Sequence, residues 1–200
     1  MEDIYKTIEE PSEGLFKDKG SRFISYAYQV NSEDEIREIV QTIKKEHHSA
    51  RHHCYAWRLG ANKTNFRMND DGEPSSTAGK PILGQIQSFE LTNILIVVVR
   101  YFGGTLLGVS GLINAYRNAA LDAINNAQIV EKLVEKWLLI EFDYLAMNEV
   151  MKVFKDEKLP QVDPQYDLNC RVKTIIRLSH AERIEQDLLK IEGVKVKELA

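Results

Sequence analysis

Cysteine is nearly absent: Cys54 and Cys170 are the only two in 200 residues. Two thiols build no disulfide framework, and that count fits a reducing compartment. Long apolar runs are missing as well. The longest, Ile94 to Val99, has the length of one strand and falls far short of a bilayer span. The first residues, Met1-Glu2-Asp3, are acidic and show no basic-then-apolar leader. A cytoplasmic protein without membrane contact is expected. Positive charge is not in excess, with 26 Lys and Arg against 30 Asp and Glu, so the global balance advertises no nucleic acid.

The distribution of charge says more than its sum. Residues 1–50 carry seven Lys/Arg against eleven Asp/Glu, whereas residues 51–117 carry seven against four, with His52 and His53 in addition. A locally basic centre permits an anionic ligand without requiring one.

Hydrophobic spacing predicts an α+β chain of two domains, 1–130 and 131–200. Ile24, Tyr26, Tyr28 and Val30 alternate as on a half-buried strand. Ser32 and Glu35 form a capping-box pattern ahead of Ile36, Ile39, Val40 and Ile43 at helical spacing. Cys54 to Leu59 reads as a second strand, and Gly79-Lys80-Pro81 as a helix start. Ile94 to Val99 has the continuous aliphatic character of a central strand covered on both faces. After the Gly103-Gly104 turn, Ser110 is expected to cap a helix whose apolar face holds Leu112, Ile113, Tyr116, Ala120 and Ala123. From Leu133 onward the order strand, helix, strand, strand, helix, strand is the βαββαβ ferredoxin-like plan, with Ser179 capping its second helix.

Two segments carry the chemistry. Asp70-Asp71-Gly72-Glu73-Pro74-Ser75-Ser76-Thr77-Ala78-Gly79-Lys80-Pro81 is a polar loop with three acids and three hydroxyls. It is not a phosphate-binding P-loop, because Gly72 and Gly79 are too far apart and Pro81 follows Lys80. Gly103, Gly104, Gly108 and Gly111 do not fit the dinucleotide fingerprint either. Each segment nevertheless leads into a helix, and helix N-termini present unpaired amides to anions. Arg100 and Arg117 would reinforce that surface. The competing reading is a pair of tight strand-to-helix turns. Asp70, Asp71 and Glu73 are either metal ligands and proton acceptors or turn caps.

His47, His48, His52, His53 and Cys54 are crowded at one helix end and one strand start, unlike the separated pairs of a zinc site, so no metal is expected. Arg171, Lys173 and Arg177 alternate on one strand, and Lys195 and Lys197 on another. That open sheet face either contacts RNA or is merely solvated; it lacks an aromatic stacking platform.

The polar loop, joined to Val99-Arg100-Tyr101-Phe102-Gly103-Gly104, Leu107-Gly108 and His52-His53-Cys54-Tyr55-Ala56-Trp57, resembles the Impact family, in particular its bacterial YigZ-type members. The resemblance implies an N-terminal ribosomal-protein-like α/β domain, as in domain four of elongation factor G. It also implies a C-terminal ferredoxin-like domain similar to domain five of that factor. Eukaryotic relatives are translational regulators that compete for the activator of a stress kinase. Their extra N-terminal recognition domain is not expected in this chain, so that role is not expected to carry over intact. No catalytic residue or cofactor is implied.

The expectation is a translation-related protein binding RNA or a ribosome-associated protein, without sequence-specific DNA binding. Lys80, Arg100 and Arg117 would contact phosphate, and Asp70, Asp71, Gly72, Glu73, Ser75, Ser76, Thr77, Gly79, Gly103 and Gly104 would shape the surface. The alternative is an enzyme acting on a nucleotide-like or phosphorylated small molecule, with Asp70, Asp71 or Glu73 holding Mg²⁺ or taking a proton.

Overall fold

The aliphatic run becomes the middle strand of a five-stranded antiparallel sheet in the computed structural model, which describes residues 3–199. Around it the first elements are β1 (Ile4–Ile8), β2 (Ser12–Asp18), β3 (Ser21–Gln29), α1 (Glu33–Glu46), β4 (His52–Leu59) and β5 (Asn65–Asn69). There follow α2 (Gly79–Ser88), β6 (Ile94–Tyr101), α3 (Gly108–Asn125) and β7 (Ile129–Leu133). The sheet order is β2-β3-β6-β4-β5, while β1 and β7 pair separately.

Strand β6 explains its own composition. Ile96 and Val98 pack with α2 and α3 on one face of the sheet. Leu95, Val97 and Val99 pack with Ile36, Val40 and Ile43 of α1 on the other. Successive side chains point to opposite faces, so the stretch Ile94 to Val99, covered by helices on both sides, is apolar at every position. The capping expectation at α1 also holds: Ser32 Oγ accepts the Glu35 amide at 3.2 Å, and Glu35 Oε2 accepts the Asn31 amide at 2.9 Å.

The later elements are β8 (Glu135–Asp143), a 3₁₀ turn at Tyr144–Ala146, α4 (Met147–Asp156), β9 (Val162–Gln165), β10 (Asn169–Arg177), α5 (Leu178–Leu189) and β11 (Lys195–Leu199). They form an antiparallel sheet of order β11-β8-β10-β9. Leu138, Ile140, Phe142, Cys170, Val172 and Ile176 face the buried sides of α4 and α5. The chain divides into two compact units, residues 5–132 and residues 133–199 with 3–4.

Several expectations need correction. Strands β1, β2, β5 and β7 lie outside the elements read from spacing. Ser110 is not a cap, because α3 already begins at Gly108, whose φ of +73° a glycine tolerates readily. Ser179 is not a cap either: α5 begins at Leu178, and the Ser179 amide donates to Asp3 Oδ1 at 2.7 Å. The alternating cations of the second sheet are matched by acids. Lys173 lies 3.0 Å from Asp163 and Lys197 lies 2.6 Å from Glu141, so the open face is a mixed, solvated one.

Because Ile96 is fully buried at the sheet centre, Ile96→Ala should cost about 2–5 kcal/mol in urea unfolding. Phe66→Ala, on the exposed β5 edge, should stay within about 0.5 kcal/mol.

Candidate functional site

The polar loop connects β5 to α2 and is held by its own three acids, each in a different way. The Asp70 carboxylate accepts amides from Ser76 at 2.8 Å, Ala78 at 3.0 Å and Gly79 at 2.8 Å. A helix N-terminus favours a negative group, and here a side chain of the loop supplies it. Asp71 Oδ2 accepts the His53 amide at 2.7 Å, and Oδ1 accepts Lys44 Nζ at 2.9 Å. Partial burial pushes the Asp71 carboxyl up, but these hydrogen bonds outweigh it and hold the group below the usual carboxylate range.

Glu73 turns inward. Its Oε1 accepts Arg100 Nη1 at 2.7 Å and the Tyr116 hydroxyl at 2.8 Å. The side chains of Arg100 and Glu73 are only 7% and 3% exposed. The Arg100 guanidinium also lies between aromatic rings, 5.5 Å from the Phe23 centroid and 5.7 Å from that of Phe102. The Cys54 thiol sits 3.3 Å from the Tyr116 oxygen and 3.0 Å from the Asp70 carbonyl oxygen. Burial pushes both Cys54 and Tyr116 far up, so both stay neutral and Cys54 is no nucleophile at neutral pH.

The histidines serve the scaffold. His47 bridges the hydroxyls of Tyr26 at 2.7 Å and Tyr101 at 2.8 Å. His53 Nε2 lies 3.1 Å from the His47 carbonyl oxygen, and His52 Nδ1 lies 2.9 Å from that of Asp71. Among the described residues no three His, Cys, Asp or Glu side chains are grouped to hold a metal.

The second motif closes the other side. A Cβ on Gly103 would lie 1.9 Å from the Gly20 carbonyl carbon, so only glycine fits against the β2–β3 turn. The Gly103 amide donates to Ser21 Oγ at 3.1 Å. Gly79 is fixed by a similar approach, its Cβ position being 2.8 Å from the Asn69 amide nitrogen.

Between the two motifs lies a cleft of about 850 Å³ whose lining includes Arg51, His52, Glu73, Arg100, Phe102 and Val109. Phe102, Leu106 and Val109 are exposed at its rim. The N-terminus of α3 opens here at Gly108 with neither a side-chain cap nor an acid in its first turn.

The sequence-derived site therefore splits. Glu73 and Arg100 meet in the cleft, where a buried ion pair engages Arg100 through Nη1 and makes it no free cation for phosphate. Asp70 fills the anion position of α2, which removes that helix start as a ligand site. Asp71, Gly72, Ser75, Ser76, Thr77, Gly79, Lys80, Gly103, Gly104 and Arg117 do not line the cleft. Thr77 is buried, its hydroxyl donating to the Pro74 carbonyl at 2.6 Å. Lys80 and Arg117 are exposed. Tyr116, Phe102, Arg51 and His52 were missed. Tyr116 gave one signal, a phenol on a helix face otherwise of small and aliphatic residues, where a buried hydroxyl needs a partner.

Glu73→Ala would strand the Arg100 charge and should cost about 3–5 kcal/mol in urea unfolding. Replacing both, Glu73→Leu with Arg100→Met, should cost less than the two single changes summed. The stabilisation from Asp71, read as wild type minus Asp71→Asn, should be complete above about pH 4. It should be lost as pH falls through the depressed folded-state value, a sign that thermal melts across acid pH check.

Residues 19–124 match the Impact N-terminal domain. The Bacillus subtilis (strain 168) protein described as IMPACT family member YvyE is 34% identical over 172 residues, covering 86% of this chain and 79% of its own length. The Escherichia coli (strain K12) protein described as IMPACT family member YigZ is 37% identical over 158 residues, 77% of this chain and 78% of its own. A crystal structure described as that of a hypothetical protein aligns with 100% of this chain and 99% of its own at a TM-score of 0.75 and 24% identity, a likeness of fold. With its matching domain carrying both motif segments of the cleft, the chain belongs to the Impact family.

Proposed function

We propose that this protein is a cytoplasmic, translation-related binding module that engages RNA on or near the ribosome through the surface around the α3 cleft. The observation that carries this reading is the convergence of the two Impact-like motifs on one cleft with an uncapped helix N-terminus and an exposed aromatic at its rim. Exposed Arg51, Lys80 and Arg117 supply cations for phosphate contacts outside the buried pair. The translational part of this reading rests on the resemblance to the eukaryotic members of the family.

The fold reading is a ribosomal-protein-like domain over 1–130 and a ferredoxin-like domain over 131–200. The sheet order β11-β8-β10-β9, with both helices on one face, supports the latter. A ribosome-associated protein as partner is the neighbouring reading, favoured by the apolar rim of Phe102, Leu106 and Val109. A small-molecule enzyme is favoured by the cleft volume alone, which suits a compact ligand.

Co-sedimentation with ribosomes and filter binding of single-stranded RNA, each across a salt series, test the proposal. Association should be present at low salt and weaken steeply as salt rises. Lys80→Ala with Arg117→Ala should weaken it for all sequences alike and flatten the salt slope by about 0.7 per lost phosphate contact. No association at low salt would remove the RNA reading.

A further inference from the structure

We propose that the α3 cleft is a nucleotide site, taking a phosphate at the α3 N-terminus and a base against Phe102 and the Glu73–Arg100 pair. The proposal deepens the RNA reading and rests on it for the source of the nucleotide.

The phosphate end follows from what α3 lacks. An α-helix leaves its first amides without intrahelical partners. In α2 Asp70 answers this need, but no side chain or carboxylate does so for Gly108, Val109 and Ser110. An eighteen-residue helix with that end open to a cleft is an anion acceptor in search of its anion.

Arg100 supplies the independent observation. Its side chain is 7% exposed, yet Nε has no hydrogen-bond partner and only Nη1 is engaged, by Glu73. Nη2 has no partner among the described residues and is not sealed from solvent, and Arg100 forms part of the cleft wall. Glu73 mirrors this: Oε1 is used twice, while Oε2 is unpartnered and unsealed. The two paired side chains, both in the cleft wall, thus retain one donor and one acceptor that no described residue uses.

That pairing selects the ligand. A bare phosphate dianion would meet Arg100 but be repelled by Glu73. The Watson–Crick edge of each of the four bases carries an adjacent donor and acceptor and complements both. Phe102 stacks one way with Arg100 and is 56% exposed, leaving ring surface for a base. A cleft of about 850 Å³ accommodates a nucleotide.

The test uses the full chain. A labelled single-stranded ribo-oligonucleotide and an abasic ribose-phosphate strand of equal length are compared by fluorescence anisotropy. The four nucleoside 5′-monophosphates and inorganic phosphate are titrated while the amide signals of Gly108, Val109 and Ser110 are followed by NMR. The variants are Phe102→Ala and Ser110→Glu, both at exposed positions.

The oligonucleotide should bind about tenfold more tightly than the abasic strand, and Phe102→Ala should erase that difference. Ser110→Glu should abolish binding without lowering the melting temperature, because a carboxylate in the first helical turn is favourable. Equal binding of both strands, with Phe102→Ala inert, would overturn the nucleotide site and leave the RNA reading standing. Mononucleotides that shift the three amides without RNA retention would uphold the site with free nucleotide as its source and remove the RNA reading. Phosphate shifting them as strongly as the mononucleotides would overturn the base contact, and no response to any probe would overturn both.

Discussion

The hydrogen-bonded ion pair between Glu73 and Arg100 is the constraint on which this site depends. It joins the polar loop to the central strand, and through Tyr116 it joins both to α3. Removing two charges from water costs several kcal/mol per ion, which only close geometry and further hydrogen bonds offset. The contacts of 2.7 and 2.8 Å on one carboxylate oxygen meet that demand. Once Glu73 is committed inward, the rest of the loop has few options. Asp70 lies three residues upstream, where its carboxylate caps α2, and Asp71 is left beside the β4 backbone and Lys44. Three acids that look alike in the sequence thereby perform three unrelated structural tasks.

How much of this was legible depended on whether the information was local. Strand β6, strand β4 and helix α1 were readable because burial period and capping are written within a few residues. Strands β2 and β5 were not: both are sheet edges, β2 has its apolar Leu15 and Phe16 side by side instead of alternating, and β5 alternates Phe66 and Met68 with polar residues over only five positions, all of them at least partly exposed. Ser110 and Ser179 misled because a cap depends on where the preceding chain turns. At α3 that is decided by a left-handed glycine two residues earlier. In the site, residue types were visible but pairings were not. Arg100 is twenty-seven residues from Glu73 and Tyr116 forty-three, and nothing local reports that a cation and a phenol will be folded onto that carboxylate.

The same distinction applies to the second unit. Alternation on β10 correctly assigns Cys170, Val172 and Ile176 to one face and Arg171 and Lys173 to the other. It says nothing of Asp163 and Glu141, which arrive from β9 and β8 to neutralise the cations. Periodicity predicts facing; charge balance on a sheet is set by its neighbours.

Helices α2 and α3 present the same physical problem twice, and the chain solves it in two ways. At α2, Asp70 fills the amide cradle, Pro81 lacks one of the donors that would otherwise need a partner, and Gly79 lets the backbone approach Asn69 closely. At α3, Leu107, Gly108 and Val109 bring no acceptor, although a serine or aspartate at the cap would have stabilised the helix by about 1 kcal/mol. The uncapped end shares its cleft with a half-satisfied arginine and a half-satisfied glutamate. The contrast between a helix start filled by the Asp70 carboxylate and one left open beside the Glu73–Arg100 pair is what supports proposing a ligand at α3 and a scaffold role at α2.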